Sequence, residues 1–140
     1  MIQQIEVTIN APLNPTELPE RVVSAIEQLF PTAEFEIRDD TVIGTSHSLS
    51  RLSELLHQRE ILDTARDQFH SDLRPNGFSF QLKKQPAHEG IVTFVVGSPS
   101  ELGEIDVDVR VTAPTPEEVI DEIAPPTRDG KPIDPAEHRR

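Results

Sequence analysis

Cysteine, tryptophan and tyrosine are all missing from this chain of 140 residues, and methionine occurs once. Without a thiol there is no disulfide framework, no thiolate zinc site and no cysteine nucleophile. The six glycines are scattered singly, and neither Gly-x-x-x-x-Gly-Lys nor Gly-x-Gly-x-x-Gly occurs, which argues against a phosphate-cradling loop and nucleotide hydrolysis. No window approaches the roughly 18 apolar residues of a membrane span. The first residues alternate like a strand instead of placing a basic segment ahead of an apolar one, so the expected address is the cytoplasm, with no membrane partner. Lysine is the scarce cation: the 13 basic residues comprise three Lys and ten Arg, against 25 acidic residues, for a net charge of −12. An acidic exterior of this kind suits concentrated salt, where carboxylates keep a protein hydrated and their mutual repulsion is screened within about 3 Å at 1 M. A halophilic source is the expectation.

What is present is enough for one core. A length of 140 residues matches a single ordinary domain, and the 35% of apolar residues fall in periodic runs. Ile5, Val7 and Ile9 alternate with polar neighbours as in a half-buried strand. From Leu18 or Pro19, the spacing of Val22, Ile26 and Leu29 predicts a helix that Pro31 stops. Phe35 and Ile37 are expected to face inward on a strand from Glu34 to Arg38, joined through an Asp39-Asp40 turn to a partner over Thr41 to Thr45. Ser48 is a candidate cap for helical spacing that runs from Leu49 to Leu73 with a break around Gln58 to Glu60. After Asn76-Gly77, Phe78, Phe80 and Leu82 share one face of a strand. A further strand is expected from Ile91 to Val96, and another from Glu104 to Thr112 with Ile105, Val107, Val109 and Val111 inward. Pro116 sits in the first turn of a last helix carrying Val119, Ile120 and Ile123.

The order β-α-β-β-α-α-β-β-β-α predicts a two-layer α+β domain over residues 1–126, with a mainly antiparallel sheet and helices on one face. Residues 127–140, rich in charge, read as a disordered tail.

Residues able to do chemistry are few. Ser46-His47-Ser48 sets nucleophile and base side by side, but no nucleophile elbow surrounds them, and a turn with a helix cap is the simpler reading. His57, His70 and His88 lack metal-ligand spacing, and the outward row Glu104, Asp106, Asp108 is explained by a solvated sheet face. No catalytic residue, metal site or cofactor is therefore expected, and the chain reads as a non-enzyme.

Charge is uneven. Residues 1–46 carry a net −6 and residues 89–140 a net −7, whereas residues 47–88 carry a net +1 from Arg51, Arg59, Arg66, Arg74, Lys83 and Lys84 against five carboxylates. Arg59 and Arg66 stand two helical turns apart and could share a face that binds phosphates. Asp63, four residues after Arg59 and three before Arg66, could equally neutralise both.

Four stretches resemble a known family: Asn14-Pro15-Thr16-Glu17 ahead of the Val22 to Phe30 helix; Arg51 to Phe69 with Ile61-Leu62-Asp63-Thr64-Ala65-Arg66; Phe80-Gln81-Leu82-Lys83-Lys84-Gln85-Pro86-Ala87; and Leu102-Gly103-Glu104-Ile105. Together they are similar to a small archaeal family described as RNA-binding or exosome-subunit-like. The resemblance, over about residues 1–124, implies a fold like that of the large-subunit ribosomal protein that binds 5S RNA, an archaeal source and an RNA partner. Arg51, Arg59, Arg66, Arg74, Lys83 and Lys84 are then the candidate backbone contacts, with no base-reading role. The rival expectation is a protein-interaction or regulatory module, a homodimer through an open sheet edge or an accessory subunit.

Overall fold

A computed structural model of the chain describes residues 4–95, 104–128 and 131–133. The expected alternations become strands β1 (Gln4–Pro12), β2 (Glu34–Arg38), β3 (Thr41–Ser46), β4 (Gly77–Lys83) and β5 (Glu104–Ala113). They form one antiparallel sheet in the order β2-β3-β1-β5-β4. Helices α1 (Pro19–Leu29), α2 (Ser50–Gln58), α3 (Leu62–Ser71), the short α4 (Lys84–Ala87) and α5 (Pro116–Ile123) complete the layer that covers one face. The expected α+β class with helices over an antiparallel sheet is what the structure shows.

The period of two along each strand decides which face is covered. Ile5, Val7 and Ile9 of β1 and Ile105, Val107 and Val109 of β5 are buried, beneath Val22, Ile26 and Leu29 of α1, Leu52, Leu55 and Leu56 of α2, and Val119, Ile120 and Ile123 of α5. Phe69 of α3 anchors an aromatic cluster, with ring centres 5.2 Å from Phe78, 4.8 Å from Phe80 and 5.8 Å from Phe94. The opposite face stays wet, with Glu6, Gln81, Asp106 and Arg110 exposed.

The break expected near Gln58 falls where α2 gives way to α3, with Glu60 at φ 56°. Ser48 lies one residue too early to be the cap itself, yet its Oγ accepts the Ser50 N–H at 3.2 Å and satisfies a donor of the first turn. Thr115 is a true cap of α5, accepting from the Glu118 N–H at 3.2 Å.

Three expectations need correction. The segment from Ile91 to Val95 is not a strand; the turn of α4 and Gly90 at φ 72° delivers it beside β4 at one isolated bridge, Leu82 to Phe94. The flanking bonds, Lys83 N–H to Thr93 O at 2.8 Å and Val95 N–H to Gln81 O at 3.0 Å, still cover the outer edge of β4; Val96 lies outside the described residues. Ile37 does not face a core, because the helical layer stops short of β2 and leaves it 54% exposed. The expected tail begins with a hairpin instead, β6 (Thr127–Arg128) with β7 (Lys131–Pro132), held by Ile133 N–H to Pro126 O at 2.8 Å and by Thr127 Oγ1 to Asp63 at 2.5 Å. Residues 129, 130 and 134–140 of that tail lie outside the described residues.

Gly77 shows how tightly the edge of the sheet is built. A Cβ there would stand 2.0 Å from the Val109 carbonyl oxygen, a backbone atom that cannot move without disturbing the β4–β5 pair. Gly77→Ala is therefore expected to lose about 3 kcal/mol of unfolding free energy, and Phe69→Ala about 3–5 kcal/mol, both measured by urea denaturation.

Candidate functional site

The six cations of the central third are dispersed by the fold. Lys84, at the start of α4, is fully buried and donates to the Pro12 carbonyl and, at 2.9 Å, to Glu17, whose side chain is 10% exposed. No surface remains on it for a phosphate. Arg66 lies mostly beneath α5, paired with Asp121 at 2.8 Å and donating to the Ala124 carbonyl at 3.0 Å. Arg51 pairs with Glu54 at 3.0 Å, and Arg74 with Asp108, which holds the guanidinium more firmly protonated than usual.

Arg59 and Lys83 are the two of the six without an ion pair among the described residues. The break after α2 removes the helical face that Arg59 and Arg66 were expected to share. Lys83 belongs to the wet face of the sheet, opposite Glu104, whereas Arg59 sits in the helical layer, so the two do not make one patch. Asp63, the expected neutraliser of both arginines, accepts from Thr127 instead.

The Ser46-His47-Ser48 tripeptide is a structural turn. Ser46 is buried, with its Oγ 3.2 Å from Thr32 Oγ1 and accepting from the Ser48 N–H at 3.3 Å. His47 points elsewhere, its Nδ1–H donating to the Ile5 carbonyl at 3.0 Å. His57 is likewise tied by Nδ1 to the Ser53 carbonyl at 2.8 Å. Along the acidic row, Asp106 accepts from Gln81 at 2.6 Å and Asp108 holds Arg74. Among the described residues no three His, Asp or Glu side chains gather as a cation site.

The sequence raised an open sheet edge without placing it, and the structure puts one at β2. This strand has β3 on one side and no partner on the other among the described residues. Asp39 and Asp40, at φ 50° and 58°, form a two-residue turn that closes on Arg38 and Thr41. Such a turn is flanked by a hydrogen-bonded pair, so Arg38, Glu36 and Glu34 direct their amides and carbonyls at β3. Phe35 and Ile37 direct theirs outward. Phe35 is partly buried, its ring lying over Gly44, where an added Cβ would come within 3.0 Å of the ring; Ile37 beside it is exposed. Glu36 and Arg38 pair at 3.0 Å on the wet face. Ile37 carries no alternation cue that distinguishes it from Phe35; the missing signal is where the helical layer ends.

The buried ion pair makes the candidate cations testable as structure. Burial is the largest single influence on Glu17 and pushes its carboxyl up, but the Asn14 N–H at 2.9 Å and the Lys84 ammonium together outweigh it, leaving the group below its ordinary 4.5. A carboxylate depressed in this way stabilises the fold fully above pH 4.5, and that contribution disappears as pH falls through the lowered value. Glu17→Gln removes the carboxylate from a buried ammonium and is expected to cost about 3 kcal/mol near neutral pH, with the gap from wild type narrowing in acid denaturation series below pH 4.5. Arg66→Ala, which takes the guanidinium away from the buried Asp121 carboxylate, is expected to destabilise by about 3 kcal/mol in the same assay.

The comparisons with known proteins agree on one group. No family model matches the chain. A UPF0201 protein of Methanothermobacter thermautotrophicus is 41% identical over 107 residues, covering 75% of this chain and 81% of its own. One from Thermococcus kodakarensis is 37% identical over 136 residues, covering 92% and 96%. A UPF0200/UPF0201 protein of Archaeoglobus fulgidus is 34% identical over 134 residues, and the chain spans 41% of that protein's length. The crystal structure of a UPF0201 protein from Methanococcus jannaschii superposes with a TM-score of 0.84 at 32% identity, covering 91% of this chain and 98% of that one. These relatives support an archaeal origin and correct the resemblance drawn from the four sequence stretches, since they are UPF0201 proteins rather than members of an RNA-binding or exosome-subunit-like family. With identity above 30% across most of both chains and a shared fold, this chain belongs to the UPF0201 family.

Proposed function

We propose that this chain is a non-enzymatic protein-interaction module of the archaeal cytoplasm, a self-associating or accessory subunit that docks by strand addition at β2. The observation that carries the reading is the outward Phe35 and Ile37 backbone groups beside an exposed Ile37, on the one sheet edge that no described segment covers. Unpaired edge amides and carbonyls are a template for another strand, and the side chains beside them supply selectivity. Antiparallel pairing there needs no rearrangement of the fold.

RNA association has less to stand on. Of its six candidate contacts, Lys84 and most of Arg66 are withdrawn from solvent, and Arg51 and Arg74 are paired with carboxylates. Among the described residues the wet face offers no aromatic ring of Phe for a base to stack on, because Phe78 and Phe80 point into the core, and it carries Glu6, Asp106 and Asp108. That acidity fits a surface kept hydrated in concentrated salt better than one that holds phosphates. An enzymatic role lacks a convergent acid and base among the described residues.

Two parallel binding experiments test the reading. RNA titrated over about 0.2–2 M salt is expected to show no saturable binding that an Arg59→Glu, Lys83→Glu variant removes, whereas such binding would restore RNA as the ligand. Capture from an archaeal extract, read by quantitative mass spectrometry, is expected to retain proteins or further copies of the chain that Ile37→Pro loses; identical sets on both would defeat docking at β2.

A further inference from the structure

We infer that the occupant of the β2 edge is a second copy of the same edge, paired antiparallel about a two-fold axis at Glu36. This rests on the strand-addition reading and names its partner. The strand reads Glu34-Phe35-Glu36-Ile37-Arg38, and its charges are not of one sign. Because Phe35 and Ile37 carry the outward amides and carbonyls, only registers that set these two positions against each other or against themselves form edge hydrogen bonds. Centring on Glu36 pairs Phe35 with Ile37 of the second copy, and Ile37 with its Phe35, in two reciprocal hydrogen-bonded pairs. Glu34 then lies opposite the second Arg38, and Arg38 opposite the second Glu34, two cross-strand contacts of opposite charge.

The neighbouring registers are poorer. Moving the centre to Phe35 sets Glu34 against Glu36 twice. Moving it to Ile37 sets Phe35 against the left-handed turn residue Asp39 and Glu34 against Asp40, so one of the two kinds of hydrogen-bonded pair is lost. In the Glu36-centred register Phe35 and Ile37 all lie on the covered side of the sheet, since both share that face. The exposed Ile37 of each copy is brought against the partly buried Phe35 ring of the other. The outcome is one continuous sheet with both helical layers on the same side, in the isologous arrangement of a two-fold dimer.

One unfavourable contact is built in and gives the pairing a signature. Glu36 meets Glu36 at the axis, relieved in part by its own Arg38 at 3.0 Å. Glu36→Gln removes the like-charge contact while leaving the two Glu34–Arg38 contacts in place, and should therefore tighten the dimer severalfold. Glu36 is also a non-hydrogen-bonded position of the new pair, where Cα atoms approach to about 4.5 Å, within disulfide reach.

The chain contains no cysteine, so Glu36→Cys introduces a single thiol. Mild oxidation is expected to convert this variant to a covalent dimer much faster than Glu6→Cys, an exposed control on the wet face. Sedimentation equilibrium up to about 1 mM chain is expected to show a monomer–dimer equilibrium that Glu36→Gln strengthens. Ile37→Pro should abolish it, since it removes an outward N–H while leaving the β3 bonds intact, which circular dichroism checks. Equal cross-linking of the two cysteine variants, or a dimer indifferent to Ile37→Pro, overturns the inference. A strictly monomeric chain overturns it too, and leaves the wider docking reading in place only if Ile37→Pro still loses partners from an extract.

Discussion

An open sheet leaves one row of backbone amides and carbonyls unpaired at each end, and the treatment of those two rows organises this molecule. At β4 the row is met by Thr93 and Val95, delivered by the turn of α4 and Gly90. At β2 it is left bare among the described residues, and the helical layer withdraws so that Ile37 is exposed with it. A five-residue edge strand is short, about 17 Å, and short charged edges are one way proteins discourage accidental pairing. Here the charges are mixed, so in the proposed pairing they would select among registers. Removing the exposed half of Ile37 from water would contribute about 1 kcal/mol per copy, a modest drive that suits a reversible association.

The cations follow the opposite logic. Three of the six basic side chains of the central third fasten one element to another: Lys84 ties α4 to the end of β1 and to Glu17, Arg66 ties α3 to α5, and Arg74 ties the turn before β4 to β5. The buried cations Lys84 and Arg66 are tolerated because each is paired with a carboxylate and donates to a backbone carbonyl, and each is demanding because removing its carboxylate weakens that compensation in low dielectric. A buried cation so used is unavailable to a phosphate, so Lys84 and most of Arg66 drop out of the basic excess that the sequence presents.

Much of this was legible in the chain itself. The alternation of Ile105, Val107 and Val109, the helical spacing of Val22, Ile26 and Leu29 and the turn at Asp39-Asp40 each follow from local periodicity, and each is found where expected. The α+β class follows from their order. What failed depended on long-range partners. Lys83-Lys84 looks like one basic pair, but adjacent residues of a strand end point to opposite sides, so Lys84 enters the core and Lys83 the wet face. Arg66 pairs with Asp121 across 55 positions of sequence, beyond the reach of any helical spacing rule that favoured Asp63. Phe35 and Ile37 have the same pattern, and only the extent of the helical layer separates the partly buried one from the exposed one.

The most direct measurement of the central claim, that the outward amides of β2 are the docking groups, is residue-resolved hydrogen exchange as a function of chain concentration. The amides of Glu36 and Arg38, bonded to β3, should be protected at every concentration, whereas those of Phe35 and Ile37 should exchange rapidly in dilute solution and become protected as the chain is concentrated. Rapid, concentration-independent exchange at Phe35 and Ile37, with protection arising elsewhere on the surface, would contradict it.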